Sequence, residues 1–303
     1  MNVDTTPFIG IVTVLYNADE VLPDFFASLA AQEGIRYRLY VIDNGSTGSG
    51  TALSEQLARE HGIDAVCVFN DANLGVAKGN NQGIERALAD GCTHVLLSNN
   101  DTAFGPRTVI GLLDAMRATG SVAATPKIMI HSRPEMIWYA GGHISGLMTK
   151  TPHYGEYTID TGRFDQQQYT GYAPTCFMLL ERRVFDVVGM MDERYFVYYD
   201  DTDFVWRMAR AGIRIRYVPE SVVLHKVSTS TGGERSPFTV YYANRNRIYF
   251  IRKNMRGMQA IAALAYVLLT RIPSALALPR PVASRLWAGV RDGFQLPTTP
   301  NDH

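Results

Sequence analysis

Four short runs of apolar and β-branched residues, each followed by a polar turn and most by a helix-spaced segment, fill the first hundred positions. That alternation restricts the chain to an α/β fold with a mostly parallel sheet covered by helices on both faces. Residues 8–16 (FIGIVTVLY) predict a strand and 21–32 (VLPDFFASLAAQ) a helix, with the turn 17–20 between them. Residues 36–43 predict a second strand, 51–60 a helix, 65–69 a third strand, about 82–89 a helix and 93–98 a fourth strand. Parallel strands joined this way need right-handed crossovers, and ligands of such sheets sit beyond the carboxyl ends of the strands. From about residue 120 the pattern turns irregular, with short strands at 122–130, 175–180 and 221–224 and a helix at 203–211.

The length of 303 residues suits one such domain with a C-terminal extension. With 46% apolar and 19% charged residues the chain can bury a core, which excludes disordered, collagen-like and coiled-coil readings. Equal numbers of basic and acidic residues, 29 of each, leave no global electrostatic case for a nucleic-acid partner. The balance hides a division: residues 244–303 carry nine basic and two acidic side chains, whereas residues 1–243 carry 20 and 27. Cys67, Cys92 and Cys176 are odd in number and far apart, which suits a reducing compartment rather than a disulfide framework. The segment MNVDTTPFIG lacks the basic and apolar parts of a signal peptide, so the expected location is the cytoplasm. Residues 257–270 (GMQAIAALAYVLLT) are uncharged but shorter than the ~20 residues a bilayer span requires. They read either as a core helix or, with basic residues on both flanks, as a helix on an anionic membrane surface at the cytoplasmic face.

Polar clusters fall at the predicted strand ends: Tyr16-Asn17, Asp43 to Ser46, Asn73 to Asn81, and Asn99-Asn100-Asp101. Asn, Asp, Gly and Ser are also what turns are made of, but four clusters at equivalent ends favour a ligand site. The segment NLGVAKGNNQG matches neither a dinucleotide fingerprint nor a P-loop. Asp101 can coordinate a hard divalent cation that also grips a diphosphate, its plainer role being a turn former. Asp200, Asp201 and Asp203 open a helix, where they either favour its dipole or supply a general base. His225 follows a short strand and serves either as a hydrogen-bonded core residue or as a neutral metal ligand.

Taken in order, IVTVLYN, VIDNGSTGSGT, NLGVAKGNNQGI, VLLSNNDT, GGHISG, FMLLERRVFDVVGMMDERYFVYYDDTDFVWRMARAGIRI, VVLHKVSTST and YYANRNRIYF resemble the inverting family 2 glycosyltransferases of GT-A fold, on the bacterial rhamnosyltransferase-like branch. The resemblance covers roughly residues 9–251 and implies a nucleotide-sugar half at about 1–120, an acceptor half at about 121–240 and a helical extension at 241–303. It implies that Thr13 and Asn17 line the nucleotide pocket, that Asp43 bonds the pyrimidine base, and that Asn73, Gly75 and Asn81 shape the ribose and diphosphate wall. Asn99-Asn100-Asp101 replaces the family's D-x-D motif, with Asn99 where an Asp often stands, leaving Asp101 as the main charged ligand for Mg2+ or Mn2+ and His225 as the second. Asp200-Asp201 replaces a Glu-Asp pair, so Asp201 would be the catalytic base and Asp200 a supporting or acceptor-binding carboxylate.

The implied reaction is one displacement with inversion, moving a sugar from a nucleotide-diphosphate donor to a hydroxyl of a saccharide or lipid-linked saccharide in surface polysaccharide synthesis. The branch suggests dTDP-L-rhamnose as donor. UDP-linked galactose, galactofuranose, glucose or N-acetylhexosamine stays open, because an Asp at position 43 pairs with uracil or thymine alike. A nucleotidyltransferase would carry a basic Gly-rich loop after the first strand, where residues 16–20 are acidic. A non-catalytic sugar-binding relative would have no need to keep Asp101, Asp201 and His225 together.

Overall fold

A computed structural model describes residues 7–166, 168–226 and 235–298. The end of the VVLHKVSTST segment (227–231) and most of the stretch read for a leader lie outside these residues. Strands β1 (Phe8–Leu15), β2 (Arg36–Asp43), β3 (Ala65–Phe69) and β4 (His94–Ser98) form the expected parallel ladder in the order β3-β2-β1-β4. The sheet continues through β9 (Phe177–Glu181), β6 (Ala123–Ile130), β10 (Ile215–His225) and β5 (Thr102–Phe104), with β7 (Arg133–Tyr139) beside β6 and β8 (Tyr169–Thr170) beside β10. Because β9 runs antiparallel between β4 and β6, and β10 is parallel to β6, six of the ten strands share one direction.

Helices α1 (Leu22–Ala30), α2 (Gly50–His61), α3 (Val76–Ala89) and α4 (Thr108–Thr119) follow the first half of the sheet, and α5 (Arg183–Val188) and α6 (Asp200–Arg210) follow β9. Three helices close the chain: α7 (Pro237–Asn254), α8 (Gly257–Leu276) and α9 (Arg280–Gln295). The apolar alternation of β1 and β2 and the helical stripe Leu22, Phe25, Phe26, Leu29 meet in one core with Leu96, Phe177 and Leu179. A second core joins Ile248, Phe250 and Ile251 of α7 to Val267 of α8, Leu286 and Val290 of α9, and Tyr195.

Three elements depart from the sequence pattern. Helix α3 starts six residues before the expected 82, because the polar stretch AKGNN packs inward: Gly79 lies so close to β1 that a Cβ there would sit 2.8 Å from Val14. Strand β10 begins at Ile215 rather than 221, its two halves separated by a register shift between Val218 and Val222 that spans Pro219, which has no N–H to give the ladder. Helix α8 runs past Thr270 to Leu276, so its 20 residues are, by length and composition, enough to cross a membrane. Val267 and Ala263 are buried against α7 and α9, while Met258, Ile261, Leu269, Ile272 and Leu276 are exposed.

The basic surplus of the last sixty residues is mostly consumed inside the protein. Arg245, Arg247 and Arg252 donate to backbone carbonyls, Lys253 pairs with Asp192 and Asp203, and Arg271 donates to Asn244. A guanidinium satisfies several carbonyls at once, so a run of arginines need not mean a basic surface.

Candidate active site

A cleft of about 1100 Å³ opens at the carboxyl ends of β1, β2 and β4, lined by Tyr16, Asn17, Asp19, Asn44, Thr47, Asn73, Gly75, Asn80, Asn99, Asn100, Asp101 and Phe196 among others. Asn17, with a left-handed φ of 50°, receives the amide of Thr47 at 2.9 Å on its Oδ1 and donates its own N–H to Ser46 Oγ. Asp19 accepts from the amide and hydroxyl of Ser49. These bonds tie the end of β1 to the loop after β2 and leave a polar floor. Gly75 caps α3 with φ 86°, and a side chain there would meet Phe196 at 2.6 Å, so only glycine fits. Asn73 holds the Gly75 amide at 2.9 Å, and Asn44 donates to the Gly75 carbonyl.

Asn17, Asn73, Gly75, Asn99 and Asp101 thus stand on the cleft wall, while Thr13, Asp43 and Asn81 stand behind it. Thr13 is fully buried in β1. Asp43 is buried too, accepting from the Ser46 amide at 2.9 Å and the Thr51 hydroxyl at 2.8 Å, so it shapes the loop that borders the cleft. Asn81 exchanges two hydrogen bonds with the backbone of Met191. Tyr16, Asn44 and Asn80 belong to the strand-end clusters but carry no individual role in the sequence, whereas Asp19, Thr47 and Phe196 lie outside those clusters, and Phe196 carries no local signal.

The second half of the site lies across the sheet. His225, at the end of β10, places Nε2 3.2 Å from Asp101 Oδ1, and its Nδ1 is buried without a hydrogen-bond partner among the described residues. A carboxylate oxygen facing an imidazole Nε2 at this distance fits two ligands of one divalent cation. No third His, Cys, Asp or Glu joins them among the described residues. Trp138 packs edge-on to both His225 and His153, and His153 stacks over Tyr172. The Tyr172 hydroxyl donates to Asp201 Oδ2 in a short bond, and Thr202 donates its amide (2.6 Å) and hydroxyl (3.1 Å) to Oδ1. The two Thr202 donors fill both lone pairs of Oδ1, whereas Tyr172 takes one of Oδ2, so the carboxylate is oriented and keeps a lone pair on Oδ2 with which to accept.

The three acids that open α6 divide their roles. Asp200 is buried, and desolvation followed by the neighbouring Asp201 charge pushes its carboxyl up to about 8. Asp201 keeps partial access to solvent. Asp203 is fully buried and bonds Arg207, Tyr195, Lys253 and Asn254, an anchor for α6 rather than a reactive group. Cys176 ties the two centres together: burial and then the charges of Asp101 and Asp201 push its thiol well above the usual range. Trp138, His153 and Tyr172 are spread over β7 and two loops, and only their tertiary stacking makes them a group.

A mixed α/β sheet with a polar cleft at its strand ends, a carboxylate–histidine pair and an oriented carboxylate defines a glycosyl-transfer enzyme of GT-A fold. Residues 10–189 match glycosyl transferase family 2, and the chain belongs to that family. Among characterised relatives it is 28% identical over 264 residues to an N-acetylglucosaminyl-diphospho-decaprenol L-rhamnosyltransferase of Mycobacterium tuberculosis, covering 80% of this chain and 83% of that one. It is 24% identical over 257 residues to the dTDP-rhamnosyl transferase RfbF of Shigella flexneri, covering 80% and 79%. The chain is therefore a family 2 glycosyltransferase that is similar to the rhamnosyltransferase branch. Its fold is similar to that of a mannosyltransferase from Pyrobaculum calidifontis solved with GDP-Man and Mn2+ (TM-score 0.59, 15% identity, 96% and 88% coverage). It is similar also to residues 1–349 of S. aureus TarS in complex with UDP (TM-score 0.60, 15% identity, 96% and 80% coverage).

Proposed function

We propose that this enzyme transfers L-rhamnose from dTDP-L-rhamnose, with inversion, to a hydroxyl of a saccharide or lipid-linked saccharide in the assembly of a bacterial surface polysaccharide. The observation that carries the reading is the oriented Asp201 carboxylate, linked through Tyr172, His153 and Trp138 to the Asp101–His225 pair. In this reading Asp201 takes the proton of the acceptor hydroxyl as the new C–O bond forms, in one displacement without a sugar–enzyme intermediate. Asp200, kept protonated by burial at neutral pH, spares Asp201 a second negative neighbour and supports the acceptor side. Asn17, Asn73, Gly75 and Asn99 border the donor, with Thr13, Asp43 and Asn81 shaping the wall from behind. Asp101 and His225 would hold Mg2+ or Mn2+, which when bound offsets the charge growing on the leaving diphosphate. Residues 1–120 then form the nucleotide-sugar half, 121–240 the acceptor half and 241–303 the helical extension. The rhamnosyl relatives named above supply the donor choice.

The lipid-linked acceptor is consistent with the exposed apolar stripe of α8, bounded by Arg256 and Arg280, lying on the cytoplasmic face of the membrane. The test is nucleoside diphosphate release with dTDP-L-rhamnose and a panel of UDP-sugars, with and without an N-acetylglucosaminyl-diphospho-lipid acceptor. Acceptor-dependent release from dTDP-L-rhamnose alone is expected. Release from a UDP-sugar instead overturns the donor assignment, and none with any pair overturns catalysis.

A further inference from the structure

The segment YYANRNRIYF of α7 has no part in the reaction described so far, yet its polar residues reach the site through a strained piece of backbone. Residues 195–199 form a strap between α5 and α6 in which Phe196, Tyr198 and Tyr199 all have left-handed φ values of 67°, 62° and 66°. Residues with a β-carbon rarely adopt that conformation, and three within four positions persist only where the surroundings impose it. The turn at Phe196, with ψ of −60° and a bond from the Val197 amide to the Tyr195 carbonyl (2.8 Å), is the strained hand of γ-turn.

Two elements hold the strap from opposite sides. On the donor side, the Phe196 carbonyl accepts the amide of Val76, the first residue of α3 after Gly75, at 2.6 Å. On the other side lies Asn246, fully buried in α7. Its Oδ1 accepts from Arg245 Nε at 2.8 Å, which turns its NH2 group toward the strap. That NH2 lies 2.8, 2.6 and 2.9 Å from the carbonyls of Tyr195, Val197 and Tyr198. The Arg245 guanidinium adds bonds of 2.7 Å to the carbonyls of Arg194 and Tyr195. Immediately after the strap come Asp200 and Asp201.

We propose that Arg245 and Asn246 are positioning residues: they clamp the 195–199 strap in its strained form and so set the α6 carboxylates against the donor pocket that Phe196 closes. The inference rests on the transfer reading for its catalytic consequence, but the clamp itself has a readout of its own. An Asn246→Asp variant keeps the shape and removes the NH2 donor, while Arg245→Lys removes the fork and its hold on the Asn246 amide. Neither residue touches the donor cleft or Asp201. Arg252→Ala serves as control: it lies on the same helix, and its guanidinium bonds carbonyls of Gly293 and Leu296 instead of the strap.

In full-length enzyme, Asn246→Asp is expected to lower kcat about a hundredfold with KM for dTDP-L-rhamnose within about threefold, and Arg245→Lys to lower it about tenfold. Binding of dTDP by calorimetry stays near wild type, and amide exchange quickens at Val76 and Val197 but not in β1 or β2. Arg252→Ala lowers Tm and leaves kcat unchanged well below it. A kcat loss in Arg252→Ala equal to that of Asn246→Asp overturns the proposal, because helix docking in general would then account for the effect. So does wild-type exchange at Val76 and Val197 in both strap variants. If Asn246→Asp does not fold, Arg245→Lys decides by the same measurements. A wild type inert toward every nucleotide sugar defeats the transfer reading, and the exchange experiment alone then decides the clamp.

Discussion

Replacing Asp200 by Asn should make the enzyme more stable at pH 8 than at pH 5 relative to wild type, by an amount the burial of this carboxyl sets. Its pKa is raised from an ordinary 3.8 to about 8, mainly by desolvation and next by the Asp201 charge. The native state therefore keeps a proton that the unfolded chain has released, and stability is lost as pH rises from the unfolded value through the folded one. Each pKa unit corresponds to about 1.4 kcal/mol, so between pH 5 and pH 8 the Asp200 contribution declines by a few kcal/mol. Asn cannot ionise, and its carbonyl oxygen can still accept the Asp200 and Asp201 amides that bond the carboxylate. Urea unfolding of wild type and Asp200→Asn at pH 5, 6, 7 and 8 reads the difference directly, because other titrating groups cancel between the two proteins. The gap should widen with pH in favour of the variant. Parallel stability curves would refute the argument, since they would mean that Asp200 ionises in the native state as it does in the unfolded chain.

Asp201→Asn should reduce transfer by about a hundredfold or more while calorimetric dTDP affinity stays nearly intact; near-normal turnover would remove Asp201 from the role of base. Tyr172→Phe removes the hydroxyl that orients Asp201 Oδ2, so kcat should fall with KM for the donor nearly unchanged. Wild-type kcat with a lowered Tm would assign Tyr172 to packing alone. Gly75→Ala places a Cβ 2.6 Å from Phe196 at a left-handed φ, and weaker dTDP binding should follow, with wild-type affinity as the contrary result. Leu269→Glu with Ile272→Glu should abolish flotation with anionic vesicles, an outcome contradicted by equal flotation of variant and wild type.

The parallel half of the sheet was legible in the sequence because each strand there is a separate apolar run closed by turn residues, and burial on both faces demands that composition. Residues of the polar clusters at the four strand ends were legible too, and several of them line one cleft. Legibility failed where polar residues face inward. Gly79, Asn80 and Asn81 read as loop but are the buried first turns of α3. Arg245, Arg247, Arg252 and Lys253 read as a basic surface but are largely occupied by carbonyls and carboxylates. The opposite partners of such groups lie about forty to a hundred and ten residues away, beyond any local pattern.

By itself, then, the amino-acid sequence determined the α/β class through local periodicity and the glycosyltransferase family through its ordered motifs, and that resemblance marked Asp101, Asp200 and Asp201 as candidate acids. Tertiary structure alone decided how those acids differ. Burial separates the proton-holding Asp200 from the more exposed, oriented Asp201, and pairing with Arg207 and Lys253 sets apart the equally buried Asp203, though all three open one helix. It also brought α7 against the 195–199 strap, whose three left-handed residues are bonded on one side by side chains of that helix.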